Sequence, residues 1–336
     1  MQELNTISSS QYAIEQATAI NQNFAALKTA VESIDGGGGG GGGSAELIRT
    51  YRNRLPSQWR TDSARTTLKV LLIGNSFSFY PVDALPNIIT LSGTTKAYCL
   101  QVQGITGGAG NTLQLGVNRV YNNTTGNWAK TFGTGGTSSN AYKSALTHDW
   151  DAIIFHQRSD DAADYDTYFP YLNALVDAAR RYCTNPEVKI GWQMIWDKFH
   201  GQAQPQRDAI VLNSKRVMDD CGIDFIVPTG TAVENAWASS LSIPTVQIGM
   251  APGLDSSGHV RNILEWVGAA TFYQVLFSAF FGKDVVDDCV PTSAQSWSEY
   301  LPGSTVSNKS AADCILASKC AKAAVEDMWN ITTGIS

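Results

Sequence analysis

The chain has 336 residues, of which 24 are basic and 30 acidic, for a formal net charge of -6. That length can bury one large core and still carry an appendage, and the acidic balance argues against the basic footprint of a nucleic-acid-binding protein. No uninterrupted apolar span is long enough for a membrane helix, and the N-terminus lacks the basic and apolar regions of a signal peptide, so ordinary export is not indicated.

Residues 1–35 carry a seam of Ala13, Ala17, Ile20, Phe24, Leu27, Val31 and Ile34, spaced alternately by four and three. This is a heptad pattern and predicts an amphipathic, coiled-coil-like helix. Alone, about three heptads are marginal, so a homo-oligomer of two or three strands, or docking on a larger assembly, would stabilise it. A single helix folded back on the domain is the alternative. Residues 36–46 include the unbroken run Gly36 to Gly43, which cannot hold a helix and reads as a flexible tether. Residues 47–336 then form the main domain.

Strand-like runs begin near Leu68, Ala97, Ala152, Val188 and Asp224. Helical patterns lie at Asp83–Leu91, Thr112–Tyr121, Tyr168–Cys183, Gln204–Cys221, Ala232–Ser239, Val260–Phe281 and Ala311–Trp329. The alternation predicts an α/β domain with a five-stranded parallel sheet wound on both faces. Asn122 to Tyr142, rich in Gly, Asn, Thr and Ser, reads as a long surface excursion, and Cys289 to Ser310 as loop. The six cysteines form no CxxC pair, so neither zinc nor a redox motif is suggested, and most are expected as buried thiols. Spacing leaves open a link from Cys289 to Cys314 or Cys320.

The first strand, Leu68 to Ile73, is almost wholly apolar and runs directly into Gly74-Asn75-Ser76-Phe77-Ser78. Such a strand is buried on both faces, and a parallel sheet presents its functional groups at the strands' carboxyl ends. Ser76 stands there as a candidate nucleophile, with exposed amides around it to hold an oxyanion. Three further turns carry suitable groups: the glycine-rich 104–111, with Gly107 and Gly108; His156-Gln157-Arg158-Ser159; and Gly253-Leu254-Asp255-Ser256-Ser257-Gly258-His259, just ahead of a long helix. Nucleophile, oxyanion donors and base arriving from separate turns is what acyl transfer requires.

These motifs over residues 68–282 resemble the SGNH (GDSL-like) hydrolases, in the branch that opens with Gly-Asn-Ser-Phe-Ser and carries Gln-x-x-Ser. The resemblance implies a three-layer, flavodoxin-like fold. Position by position it makes Ser76 the nucleophile, His259 the base and Asp255 the acid. It also implies an oxyanion hole from Ser76, Gly107, Gly108 and Gln157. The activity implied is that of a serine esterase, an O-deacetylase of acylated surface polysaccharide, with no metal or organic cofactor.

Asp255 stands four residues before His259 where the family has three, which leaves open a full triad or a serine–histidine dyad. Asp197-Lys198-Phe199-His200 matches the three-residue spacing literally but precedes a fifth strand and two helices, so His259 is the expected base and His200 is expected to line the cleft or lie on the surface. His148 and His156 are expected to be structural. Asn75, Trp192 and Trp196 are the candidate substrate contacts, with Trp128 a further ring that could stack on a sugar. The short helix and tether ahead of such a domain resemble a bacteriophage tail or virion appendage, which implies a virion or extracellular setting. The alternative function is a glycan-binding appendage module with little or no turnover.

Overall fold

The computed structural model describes residues 66–104, 111–121, 127–133, 145–202, 206–298 and 306–336. The expected helix at 1–35, the tether at 36–46, and Gly107 and Gly108 lie outside the described residues.

Strand β1, Thr67–Gly74, has five residues, Leu68 and Val70 to Ile73, that are at most 2% exposed. Burying each such side chain is worth about 2 kcal/mol, which is why this apolar run occupies the sheet's centre. There follow a single-turn helix α1 (Ser76–Phe79), a 3-10 turn (Tyr80–Val82), α2 (Leu85–Leu91), β2 (Ala97–Gly104), α3 (Thr112–Tyr121) and β3 (Asn127–Gly133). After β4 (Ala152–Phe155) come α4 (Tyr171–Tyr182), β5 (Lys189–Gln193), α5 (Arg207–Asp220), β6 (Phe225–Val227) and α6 (Thr229–Trp237). Helix α7 (Ile263–Phe272) runs on through a π turn (Tyr273–Phe277) into Ser278–Phe281, and a hairpin of β7 (Gln295–Ser298) and β8 (Val306–Lys309) precedes α8 (Ala311–Glu326).

The main sheet has the order β3-β2-β1-β4-β5-β6. Five of its strands are parallel, as expected, and β3 joins antiparallel at the edge beside β2. This corrects the expectation of a bare excursion over 122–142. An edge strand needs only one neighbour, so its polar Asn-Trp-Ala-Lys-Thr-Phe-Gly carries no apolar run to announce it. The β7–β8 hairpin similarly corrects the loop expected over 289–310.

Right-handed crossovers place α2 on one face and α3, α4 and α5 on the other. Helices α6, α7 and α8 pack on one another, and α7 on α2, which completes the second outer layer. Ile263–Phe281 is long and apolar enough to cross a bilayer, yet 83% of its most apolar window is buried in this fold. Here it is a core helix. All six cysteines are buried, unpaired thiols. Among the parallel strands the order reverses at β1, and in such sheets the crevice at that reversal, outside the carboxyl ends of β1 and β4, is where ligands bind.

Candidate active site

Gly74 ends β1, and Asn75 caps α1 by accepting the Phe77 amide on Oδ1 at 2.9 Å. Its amide nitrogen reaches Thr112 Oγ1 at 3.2 Å, so most of this side chain is committed to shaping the turn. Gly74 is needed here for close approach, not for a left-handed bend: a Cβ on it would sit 2.0 Å from His156 Nε2. His156 lies at the end of β4 and is 1% exposed. Its Nε2 accepts the Asn75 N–H at 3.1 Å and its Nδ1–H donates to the Gln157 carbonyl at 2.8 Å, which fixes the neutral tautomer. Burial pushes its pKa down to about 4 against a smaller opposing effect of the Gln157 carbonyl. His156 is therefore a neutral strut beneath the serine turn, a structural role. Gln193, at the end of β5, adds a second support, donating to the Phe77 carbonyl at 2.9 Å and accepting from Ser78 Oγ at 3.2 Å.

The support presents Ser76. Its Oγ lies 2.6 Å from His259 Nε2, across 183 positions of sequence. On the far side of the ring, His259 Nδ1 is 3.1 Å from Asp255 Oδ2. The serine O–H thus donates to Nε2 while Nδ1–H donates to the carboxylate, and the three side chains form a continuous hydrogen-bonded chain.

The four-residue separation of Asp255 and His259 has a local explanation. The Gly258 amide donates to the Asp255 carbonyl at 2.9 Å, and Gly258 has φ of +80°. The Asp255 amide donates to the His259 carbonyl at 3.1 Å, and Leu254 and Val260 form an antiparallel bridge just outside. These bonds describe a three-residue hairpin loop, a turn closed by a left-handed glycine. Directly opposed residues of such a hairpin project to the same face with their Cβ atoms close together. The extra residue therefore brings carboxylate and imidazole together. Asp255 Oδ1 also accepts the Ser257 and His259 amides, at 2.9 and 3.1 Å. Burial alone would raise the Asp255 pKa, but the hydrogen bonds from His259 and Ser257 outweigh it and hold the carboxyl below the usual range.

Aromatic rings pack around the imidazole. Tyr80 stacks on His259 with centroids 4.7 Å apart, and Phe77 lies at 5.3 Å. Trp196 stacks on Phe77 at 4.7 Å and donates its indole N–H to the Gly258 carbonyl at 2.8 Å. Trp196 and Trp192 are only 1% and 2% exposed, which corrects their expected role as sugar-stacking platforms. Trp196 braces the histidine loop, and Trp192 packs on Tyr168 with its indole N–H near Ser214 Oγ. Trp128 lies on β3 at the sheet edge.

Gln157 is also 1% exposed. Its amide nitrogen stands 3.2 Å from the Thr167 carbonyl and 3.1 Å from Thr167 Oγ1, and its carbonyl accepts the Arg158 amide. This corrects the assignment of Gln157 as an oxyanion donor: the side chain ties two loops together. Asn111 joins the same Thr167 carbonyl at 2.7 Å, so the loops after β2 and β4 are anchored at one point. Among the described residues, the Ser76 amide, at the first position of α1, has no acceptor.

His200 is elsewhere engaged. Its Nδ1 meets Glu234 at 3.0 Å and its ring stacks on Trp237 at 4.1 Å. Asp197, the other half of the literal three-residue spacing, instead accepts backbone amides of Phe199, Gln206 and Arg207. Gln193 is the support that sequence reasoning missed, and for His156 it gave a structural role without naming the Asn75 amide that it holds; a polar residue at the end of an otherwise apolar strand was the available signal. Among the described residues no group of three or more His, Cys, Asp or Glu side chains is placed to hold a metal ion.

A family model described as Domain of unknown function (DUF4886) matches residues 69–296. The chain belongs to that family. The DUF4886 match encloses Ser76, His156, Asp255 and His259, and it stops one residue short of Trp297. The fold is similar to the crystal structure of a DUF4886 family protein from Bacteroides uniformis ATCC 8492, with a TM-score of 0.59 and 24% identity over 79% of this chain and 97% of that one. At that identity the likeness speaks to the fold of the DUF4886 domain alone. No curated protein matches the chain.

Proposed function

We propose that this DUF4886 protein is a serine esterase of the SGNH type. The observation that carries this is the hydrogen-bonded chain Ser76 Oγ to His259 Nε2 at 2.6 Å and His259 Nδ1 to Asp255 Oδ2 at 3.1 Å. Ser76 Oγ attacks an ester carbonyl as its proton passes to His259 Nε2, and Asp255 stabilises the imidazolium so formed. The Ser76 amide receives the oxyanion, joined by an amide of Gly107 or Gly108. His259 then protonates the departing alcohol, and a water activated by the same imidazole hydrolyses the acyl-serine. Each oxyanion donor contributes about 3 kcal/mol to barrier lowering. The chemistry needs no metal or organic cofactor.

The substrate we assign is an acetylated or otherwise acylated carbohydrate, which rests on the likeness of the Gly-Asn-Ser-Phe-Ser and Gln-x-x-Ser motifs to carbohydrate esterases. The heptad seam of 1–35 and the glycine run behind it support display of this domain on an oligomer or larger assembly such as a virion appendage. A glycan-binding module with weak turnover is the second reading, favoured by one observation: the Gln157 amide is spent on Thr167, which leaves fewer side-chain donors for an oxyanion. A fluorophosphonate probe separates the two. Labelling of wild type at Ser76, with acetate release from acetylated polysaccharide, supports the esterase. Retained glycan binding with an unlabelled serine supports the module.

A further inference from the structure

Arg261 follows the catalytic hairpin by two residues and opens the approach to α7. Its Nη1 lies 3.6 Å from Asp255 Oδ2, the same oxygen that faces His259. Its Nε lies 3.6 Å from Glu265 Oε1, one helical turn on, and its guanidinium sits over the Tyr80 ring at 5.1 Å. That ring is the one stacked on His259. Glu265 is 0% exposed, and its other oxygen accepts the Trp297 indole N–H at 2.6 Å. A carboxylate removed from water in this way requires a cation and donors around it, and Arg261 and Trp297 supply them. The guanidinium therefore bridges a buried anion in the core helix and the half-buried anion that orients the catalytic imidazole.

We infer that Arg261 is a positioning residue for the Ser76–His259–Asp255 chain: anchored on α7 by Glu265, and through it on Trp297 of the β7–β8 hairpin, it holds the Asp255 carboxylate in place and shares its charge with the imidazolium. This rests on the esterase reading above. By charge alone, a second cation at the Asp255 carboxylate opposes the imidazolium formed during turnover, so the acid limb of the activity profile reports whether the guanidinium is present. Among the described residues, Ser76 and Tyr80 beyond β1, Lys198, whose stem lies against Gly258, and Glu265 also face the pair.

The test is serine-dependent hydrolysis of p-nitrophenyl acetate from pH 5 to 9 by wild type, Arg261→Gln, Arg261→Lys and the double variant Arg261→Gln/Glu265→Gln, each with a matched circular dichroism spectrum. The double variant removes both charges, so it folds even where the single change leaves Glu265 stranded. In Arg261→Gln, kcat falls about tenfold with KM within about twofold, and the acid limb moves up by about half a pH unit. Arg261→Lys keeps the charge and loses the fork, so the limb stays while kcat drops by about threefold. In the double variant kcat falls as in the single one, with a smaller movement of the limb. Folded single and double glutamine variants that match wild type in kcat and pH profile overturn the inference while leaving the esterase intact. Wild type with neither turnover nor fluorophosphonate labelling of Ser76 overturns both.

Discussion

His259 and His200 each meet a carboxylate, at 3.1 Å for Asp255 and 3.0 Å for Glu234, yet their surroundings differ in every respect that bears on chemistry. His259 has a serine hydroxyl on its second nitrogen and a carboxylate reachable from solvent. His200 pairs with a carboxylate only 3% exposed and lies flat on Trp237. The first pair faces a serine hydroxyl; the second is a bolt between the loop after β5 and helix α6. Spacing along the chain would have favoured the second, since Asp197 stands three before His200. What decides is the turn each acid sits in. Asp197 spends its oxygens on three backbone amides, whereas Asp255 is placed opposite its histidine by a glycine-closed hairpin.

The sharpest way to break this contrast is to remove the groups themselves. Ser76→Ala and His259→Ala each lower kcat by about 10⁴-fold or more with the fold intact, whereas His200→Ala keeps activity within about threefold of wild type. Comparable losses at both histidines would erase the distinction. Asp255→Asn is expected to cost about 10⁴-fold, because the amide favours the wrong imidazole tautomer. Asp197→Asn should perturb only the loop it caps, read as a fall in thermal midpoint with kcat retained.

Beneath the site, His156 sharpens the comparison through pH. Its folded pKa of about 4 lies below the ordinary histidine value of 6.5, so the unfolded chain takes up a proton first as pH falls. The stability it contributes is complete above pH 6.5 and is lost between there and pH 4, by about 3 kcal/mol. His200 has the opposite sign. Its hydrogen bond to Glu234 raises its pKa against burial, so its contribution is present below the ordinary value and fades as pH rises through the raised one. Thermal unfolding against pH should therefore lose its acid slope in His156→Gln and keep it in His200→Gln. Gly74→Ala drives a methyl into the imidazole of His156 and should cost about 2 kcal/mol, with activity falling as the serine turn shifts.

Much of the architecture was legible because burial writes itself into composition: Leu68 to Ile73 can only be a covered strand, and the helices alternate with strands at the spacing a parallel sheet needs. The edge strand Asn127–Gly133 was not, since a strand paired on one side only demands no apolar run. The turns that bring Ser76, Asp255 and His259 together were legible, but the contacts beneath them were not. The tie of His156 to the Asn75 amide joins residues 81 apart, and no local pattern encodes it. Trp192 and Trp196 misled for the converse reason: a ring at a strand end faces either the core or the cleft, and only packing decides which.

The central claim is that Ser76 is an activated nucleophile. Hydrolysis of p-nitrophenyl acetate by wild type beside Ser76→Ala, with matched circular dichroism spectra, tests it most directly. Turnover that disappears in Ser76→Ala is the result predicted. Well-folded wild type without turnover, or a Ser76→Ala protein that hydrolyses the ester at the wild-type rate, would contradict it.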